Sequence, residues 1–322
     1  MQNTFTSDYR KAIKREMKAR VKENLGRCIG IQLLYMVPYV LLITLLYVSI
    51  FGRAFALLAG GIAPDDYVIG RAVMQGMNTM WGVLILIMAI TGPMNFGLMH
   101  FYAGLSRGEP VSVSALFHPF TTLRGVWAGI RMECTLWLRS MIWSIGPTIV
   151  YMILMLILAV TTAQAGETTY LVLSIVLELL YTLVMIAVQV KVQSYMAGWL
   201  LLVDNDMRGA WAVTRETAEV FRGNLGRLFL FDLSFIGWYL LTAAVLGGCV
   251  LLGAAGFTML PSFALRMAVV FAVGIAAFCL LLVLNGFLTA YMQTAFFGMY
   301  EQMKVMSMQA DGMSFDGTPF EP

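Results

Sequence analysis

Polar and apolar residues fall along this chain in long blocks. A basic opening over 9–27, YRKAIKREMKARVKENLGR, gives way at once to CIGIQLLYMVPYVLLITLLYV. Five more apolar blocks follow, each of about the twenty residues that a helix needs to cross a bilayer core. They predict six spans, near 29–51, 80–102, 140–160, 170–190, 228–252 and 268–296. The fold class expected is all-α: a polytopic membrane protein of six transmembrane helices with amphipathic interfacial helices, forming one membrane domain over 1–303. The stretch 304–322 is polar, with Gly, Pro and Asp, and reads as a disordered tail.

In the opening, Tyr9, Ile13, Met17, Val21 and Leu25 recur at every fourth position and make one apolar stripe. A helix over 1–28 is expected to lie in the membrane surface, stripe down, with its cations toward anionic headgroups. A solvated or coiled-coil helix is the alternative. Residues 207–222 repeat the pattern, with Trp211, Ala218 and Phe221 on one face and Asn205 or Asp206 as cap. A weaker copy spans 112–131, capped by Ser112 or Ser114 and broken by Pro119. Each segment precedes two spans, at a period of about 100 residues, which suggests a three-unit internal repeat.

The tetrapeptide Asn-Leu-Gly-Arg stands at 24–27 and again at 224–227, each time before a span. Asn and Gly suit the end of a surface helix, and Arg27 and Arg227 suit the headgroup layer. The motif reads as a membrane-entry joint at which Gly26→Val or Gly226→Val impairs insertion or stability.

Composition agrees with the blocks. The 322 residues are 60% hydrophobic and 12% charged, against about 25% charged in a soluble domain. Of the 21 Lys and Arg, eight lie in the first 27 residues, four between spans 2 and 3, five between spans 4 and 5, and one, Lys304, in the tail. Only Arg53, Arg71 and Arg266 fall on the other side. Positive charge stays cytoplasmic, so both termini are expected inside a cell membrane. The first apolar run exceeds a signal-peptide core, so span 1 is expected to remain. Lys14, Arg15, Lys18, Arg20, Lys22, Arg27, Arg222 and Arg227 are the expected contacts to anionic lipid headgroups. A homo-oligomer or another membrane protein is a possible partner, and nucleic acid is not.

Helix breakers recur at Pro38, Gly92-Pro93 and Gly146-Pro147. Each is either a packing kink or a broken helix lining a cavity, as in secondary transporters. Gly92-Pro93 is the best candidate for the latter, because Asn95 adds a polar amide. Glu178 lies twelve residues before the cytoplasmic end of span 4, roughly 18 Å deep at 1.5 Å per residue. Asp232 is about 6 Å deep by the same arithmetic, level with Arg139 at the mouth of span 3. Depth pairs Arg139 with Asp232 as structural glue, the alternative being two snorkelling side chains. Glu178 and Asn95 are left as the candidate intramembrane polar site. Glu178 is either a proton or cation site or a neutral carboxyl bonded to a neighbouring span.

No catalytic set accompanies these groups. The sequence has no Gly-x-Ser-x-Gly, phosphate-binding loop or His-Glu-x-x-His. His100 and His118 have no acidic or cysteine partner at metal spacing. Cys28, Cys134, Cys249 and Cys279 read as small buried hydrophobes. No metal, cofactor or enzymatic activity is expected.

Several segments together resemble the domain of unknown function 975 family of bacterial integral membrane proteins. They are KREMKARVKENLGR, GPMNFG with LSRGE, ALF at 115–117, FRGNLG at 221–226, SFIGWYLL at 234–241 and AYMQTAFFGMYEQM at 290–303. Ile145-Gly146-Pro147 departs from the family's Ile-Pro-Gly order. The layout is more loosely similar to the membrane domain fused to some glycerophosphodiester phosphodiesterases, which implies a setting near lipid metabolism. The family brings no activity or catalytic residues. The function expected is therefore that of a non-enzymatic protein that organises lipids or binds partners. A transporter or channel for a small solute or lipid, using Glu178, is the alternative; a lipid-modifying enzyme ranks last.

Overall fold

Blocks of this length must satisfy their backbone polar groups internally, and the helix does so within one segment. In the computed structural model, which describes residues 7–59, 66–162, 167–259 and 262–310, every regular element is helical. The helices are α1 (Ser7–Glu23), α2 (Leu25–Ala59), α3 (Asp66–Arg107), a 3-10 helix (Val113–Thr121), α4 (Leu123–Thr162), α5 (Glu167–Met196), α6 (Gly198–Asp204), α7 (Ala210–Val220), α8 (Leu225–Leu233), α9 (Ile236–Met259) and α10 (Phe263–Ala310). Among the described residues six stretches are long and apolar enough to cross a membrane: Leu25–Leu45, Ile85–Arg107, Leu123–Thr161, Thr168–Asp204, Leu225–Phe257 and Leu265–Met308. Each overlaps one expected span. The helices overrun the apolar blocks, because hydrophobicity marks where a helix meets oil and not where its hydrogen bonding stops.

By contact the chain groups into two units, Met1–Ile130 with Leu233–Pro322, and Arg131–Asp232. In the first, α2 packs on α3, α9 on α10, and α1 on α10. The α1 stripe is covered by protein: Ile13, Met17 and Val21 are fully buried. Gly298 on α10 makes room, since a Cβ there would stand 3.2 Å from Ile13 Cγ2. The expected placement, stripe down on lipid, is corrected accordingly: α1 spends its apolar face on α10 and turns its polar face outward.

Helix α3 ends in a Schellman turn. Gly108 takes φ +76°, its N–H bonds the Leu105 carbonyl, and the Glu109 N–H reaches back to Gly104. The segment from 112 is a 3-10 helix ending before α4, with the Ser112 hydroxyl accepting from the Ser114 N–H as its cap. It lies so close on α3 that a Cβ at Gly97 would fall 2.3 Å from the Leu116 carbonyl oxygen.

In the second unit α7 packs on α5 and α6, burying Val213, Thr214 and Thr217. Its apolar face differs from the expected one, for Trp211 is half exposed while Phe221 is buried. Its N-cap is Gly209, without a side-chain bond. Asn205 instead accepts from the Met207 N–H in a local turn.

Three expectations about helix ends change. Pro38, Pro93 and Pro147 lie inside continuous helices, so no helix is broken at Gly92-Pro93. The Asn-Leu-Gly-Arg motif begins a helix instead of ending one. The Asn24 carbonyl accepts from Cys28, and the Asn224 carbonyl accepts from Arg227 and Leu228. A Cβ at Gly26 or Gly226 would meet nothing within 4 Å, so neither glycine is required for space. Finally, α10 continues through 304–310 and buries Val305, so the expected tail does not begin at 304. Residues 311–322 lie outside the described residues. Cys28 is buried as expected, whereas Cys134 and Cys279 are exposed, and all four cysteines are free.

Candidate functional site

Polar side chains in apolar helices seek partners within the protein, because hydrocarbon offers them no hydrogen bonds. In the first unit, Tyr35 of α2 donates to Asn95 Oδ1 of α3. One helical stretch away, buried Tyr102 donates to Gln32 Oε1 at 3.3 Å. The Asn95 amide thus serves as an α2–α3 tie. The Gly92-Pro93 pair packs closely on the start of α4: a Cβ at Gly92 would fall 2.9 Å from the Gly129 carbonyl oxygen. The Tyr102–Gln32 tie escaped sequence reading, although a lone glutamine in an apolar run is its signal.

In the second unit, Tyr151 of α4 donates to Glu178 Oε2 of α5 at 2.5 Å. The Tyr151 ring stacks on Tyr181 with centroids 4.3 Å apart, and Thr148 shares a hydrogen bond with the Tyr181 hydroxyl. Glu178 is exposed on the helix surface. Beside it runs an open apolar groove of about 730 Å³, bounded by Tyr151, Met152, Leu156 and Tyr170. Asn95 and Glu178, expected to form one site, belong to different units and are each engaged within their own.

The expected Arg139–Asp232 ion pair does not form. Arg139 lies between two rings, 4.0 Å from the Trp211 centroid and 4.5 Å from that of Tyr195, and donates to the Trp211 carbonyl oxygen. Asp232 accepts from Gln193 Nε2 at 2.8 Å. Equal depth put the two charges on one level, but aromatic faces and an amide on α5 and α7 captured each separately. Nearby, Trp143 Nε1 donates to the Tyr195 hydroxyl at 3.0 Å.

The α1 cations divide into engaged and outward groups. Lys14 donates to both the backbone and hydroxyl oxygens of Ser234, at 3.1 and 2.9 Å, and sits 4.0 Å over the Phe235 ring. Burial, with repulsion from Arg10 and Lys18, lowers its pKa below the ordinary lysine value. Lys18 stands over Trp238. Arg20 pairs with Glu16 and donates to the Ser106 carbonyl oxygen, and Arg27 donates to Asn24 Oδ1. Arg15, Lys22 and Arg222 are exposed, and Arg227 is half-buried. Lys14, Lys18 and Arg20, expected at headgroups, therefore hold protein to protein. The partners of the two lysines, Ser234, Phe235 and Trp238, lie in SFIGWYLL, which sequence reading singled out without a role.

His100 and His118 stack at 5.1 Å, clamping the 3-10 helix to α3. Among the described residues no group of three or more His, Cys, Asp or Glu is placed to hold a metal ion. No family model matches this chain, and no curated protein or solved structure matches it either.

Proposed function

We propose that this chain is an integral membrane protein of non-enzymatic role, which organises lipid or a partner protein at the cytoplasmic face. The observation that carries the reading is the closure of its intramembrane polar groups on one another. Tyr35 binds Asn95, Tyr102 binds Gln32 and Tyr151 binds Glu178, while the described outer surfaces of α4, α5 and α9 are apolar and exposed. A solute path needs polar groups turned toward a shared cavity. The groove beside Glu178 is apolar and suits an acyl chain. The resemblance in sequence to the family of bacterial membrane proteins supports the same setting.

The skew of Lys and Arg supports cytoplasmic termini, with Arg15, Lys22 and Arg222 free to meet anionic headgroups. The same local role of Asn24 and Asn224, each opening a helix after an amphipathic one, supports a repeated unit. The test is flux and lipid retention measured on one reconstituted preparation. The reading expects no solute flux above that of empty vesicles and co-purification of anionic lipid. Saturable flux abolished by Glu178→Gln would replace it with the transporter reading.

A further inference from the structure

Two cations in the second unit lie against aromatic rings where others meet carboxylates. Arg139 on α4 and Lys191 on α5 form no ion pair among the described residues, unlike Arg208 and Arg215, which pair with Glu216 and Glu219. Both instead lie against one buried ring. Tyr195 has Arg139 at 4.5 Å and Lys191 at 5.3 Å from its centroid, so the two charges are no further apart than those distances together. Trp143 faces the Lys191 ammonium at 5.8 Å, and Trp211 faces the Arg139 guanidinium at 4.0 Å.

Ring faces attract cations but accept no conventional hydrogen bonds, so most of the donors stay open. Arg139 has five N–H groups and places one on the Trp211 carbonyl oxygen, while its Nε is shielded from solvent without a partner. Among the described residues the Lys191 ammonium meets only rings. The aromatic walls fix both heads in place, so little conformational entropy remains to be lost on binding an anion. The site also has an apolar side. Trp143 is 44% exposed, and Ile142, Ile145 and Ile186 leave an exposed apolar surface on the same two helices. Half-exposed tryptophans beside cations, at the end of apolar helices, make an interfacial arrangement.

We propose that Arg139 and Lys191, fixed against Tyr195 between Trp143 and Trp211, hold the phosphate of an anionic phospholipid whose acyl chains lie along α4 and α5. This deepens the lipid-organising reading and rests on it. Guanidinium and ammonium together match a phosphodiester that carries net charge, and the apolar surface beside them distinguishes a lipid from free phosphate.

The test uses the full chain extracted from bilayers holding equal phosphatidylglycerol and phosphatidylcholine, with retained lipid counted by native mass spectrometry. Replacing both cations, R139Q with K191Q, lowers phosphatidylglycerol retention at this site roughly thirty-fold, about five- to sixfold per cation near a charged surface. K191R keeps retention. K191Q alone gives about a fivefold loss, and it carries the test should the double variant not fold, since among the described residues the ammonium touches rings only. Retention unchanged in K191Q overturns the site. If inorganic phosphate stabilises the protein in phosphatidylcholine discs and K191Q loses that effect, the ligand is free phosphate and the lipid assignment is overturned. If the unmodified chain shows no preference for phosphatidylglycerol, the broader lipid reading falls as well. A preference that survives K191Q but disappears on replacing Arg15 and Lys22 sinks this site alone.

Discussion

Gly92 and Gly129 face each other where α3 crosses the start of α4, each occupying the space a side chain on the other would need. A Cβ on Gly129 would lie 2.7 Å from the Gly92 carbonyl oxygen and from the Pro93 ring nitrogen. The Gly-Pro pair thus serves close approach of two helices, as small residues do within membranes.

Gly129→Ala should destabilise the protein by about 1–3 kcal/mol, the usual cost of overpacking where backbone blocks relaxation. Thermal unfolding in detergent measures it. An unchanged midpoint would show that the two helices do not meet there.

Gly26→Ala and Gly226→Ala should behave oppositely. Both sites are helical with open space around them, so each substitution is neutral or stabilises by up to ~1 kcal/mol through helix propensity. Melting both variants beside Gly129→Ala in one series checks the contrast.

Gly108→Ala should cost about 1–2 kcal/mol, because φ +76° is left-handed backbone that a Cβ disfavours. The added methyl would meet the Arg20 guanidinium at 3.4 Å, an ordinary van der Waals contact, so the cost comes from the backbone. Loss of protease resistance at the α3 end, mapped by limited digestion, is the second readout.

Lys14 supplies a pH prediction. Its folded pKa is lowered from the ordinary lysine value of 10.5 by burial and then by Arg10 and Lys18. The unfolded chain therefore binds this proton more tightly, and stability from this group rises with pH across the window just below 10.5. It is lost again as pH falls through the lowered value. Reductive ¹³C-methylation with NMR titration should give Lys14 a midpoint below 10.5, and Ser234→Ala should shift that midpoint by removing one acceptor. A midpoint at the free-lysine value would contradict the packed geometry.

Tyr151→Phe and Glu178→Gln should be non-additive in stability, since the two side chains share one hydrogen bond. Glu178→Gln alone should be the milder change, as its amide oxygen still accepts from Tyr151. Additive effects would show that the contact does not form in the membrane.

Much of the architecture was legible in block length alone. Six apolar runs imply six helices, because a backbone in oil has few other ways to satisfy its polar groups. The basic α1 with its four-residue stripe, a cap at Ser112 or Ser114 and the proline-bearing spans could also be read directly. Partners could not. Depth matched Arg139 with Asp232, yet Tyr195 and Trp211 surround one and Gln193 takes the other. The α1 stripe fitted lipid as well as protein, and the notch at Gly298 on α10 decided the matter from almost three hundred residues away. Periodicity fixes which face of a helix is apolar, since it depends on neighbours three and four positions along. What covers that face, and which acceptor a buried cation finds, depends on contacts between residues far apart in sequence, and only the tertiary structure brings those together.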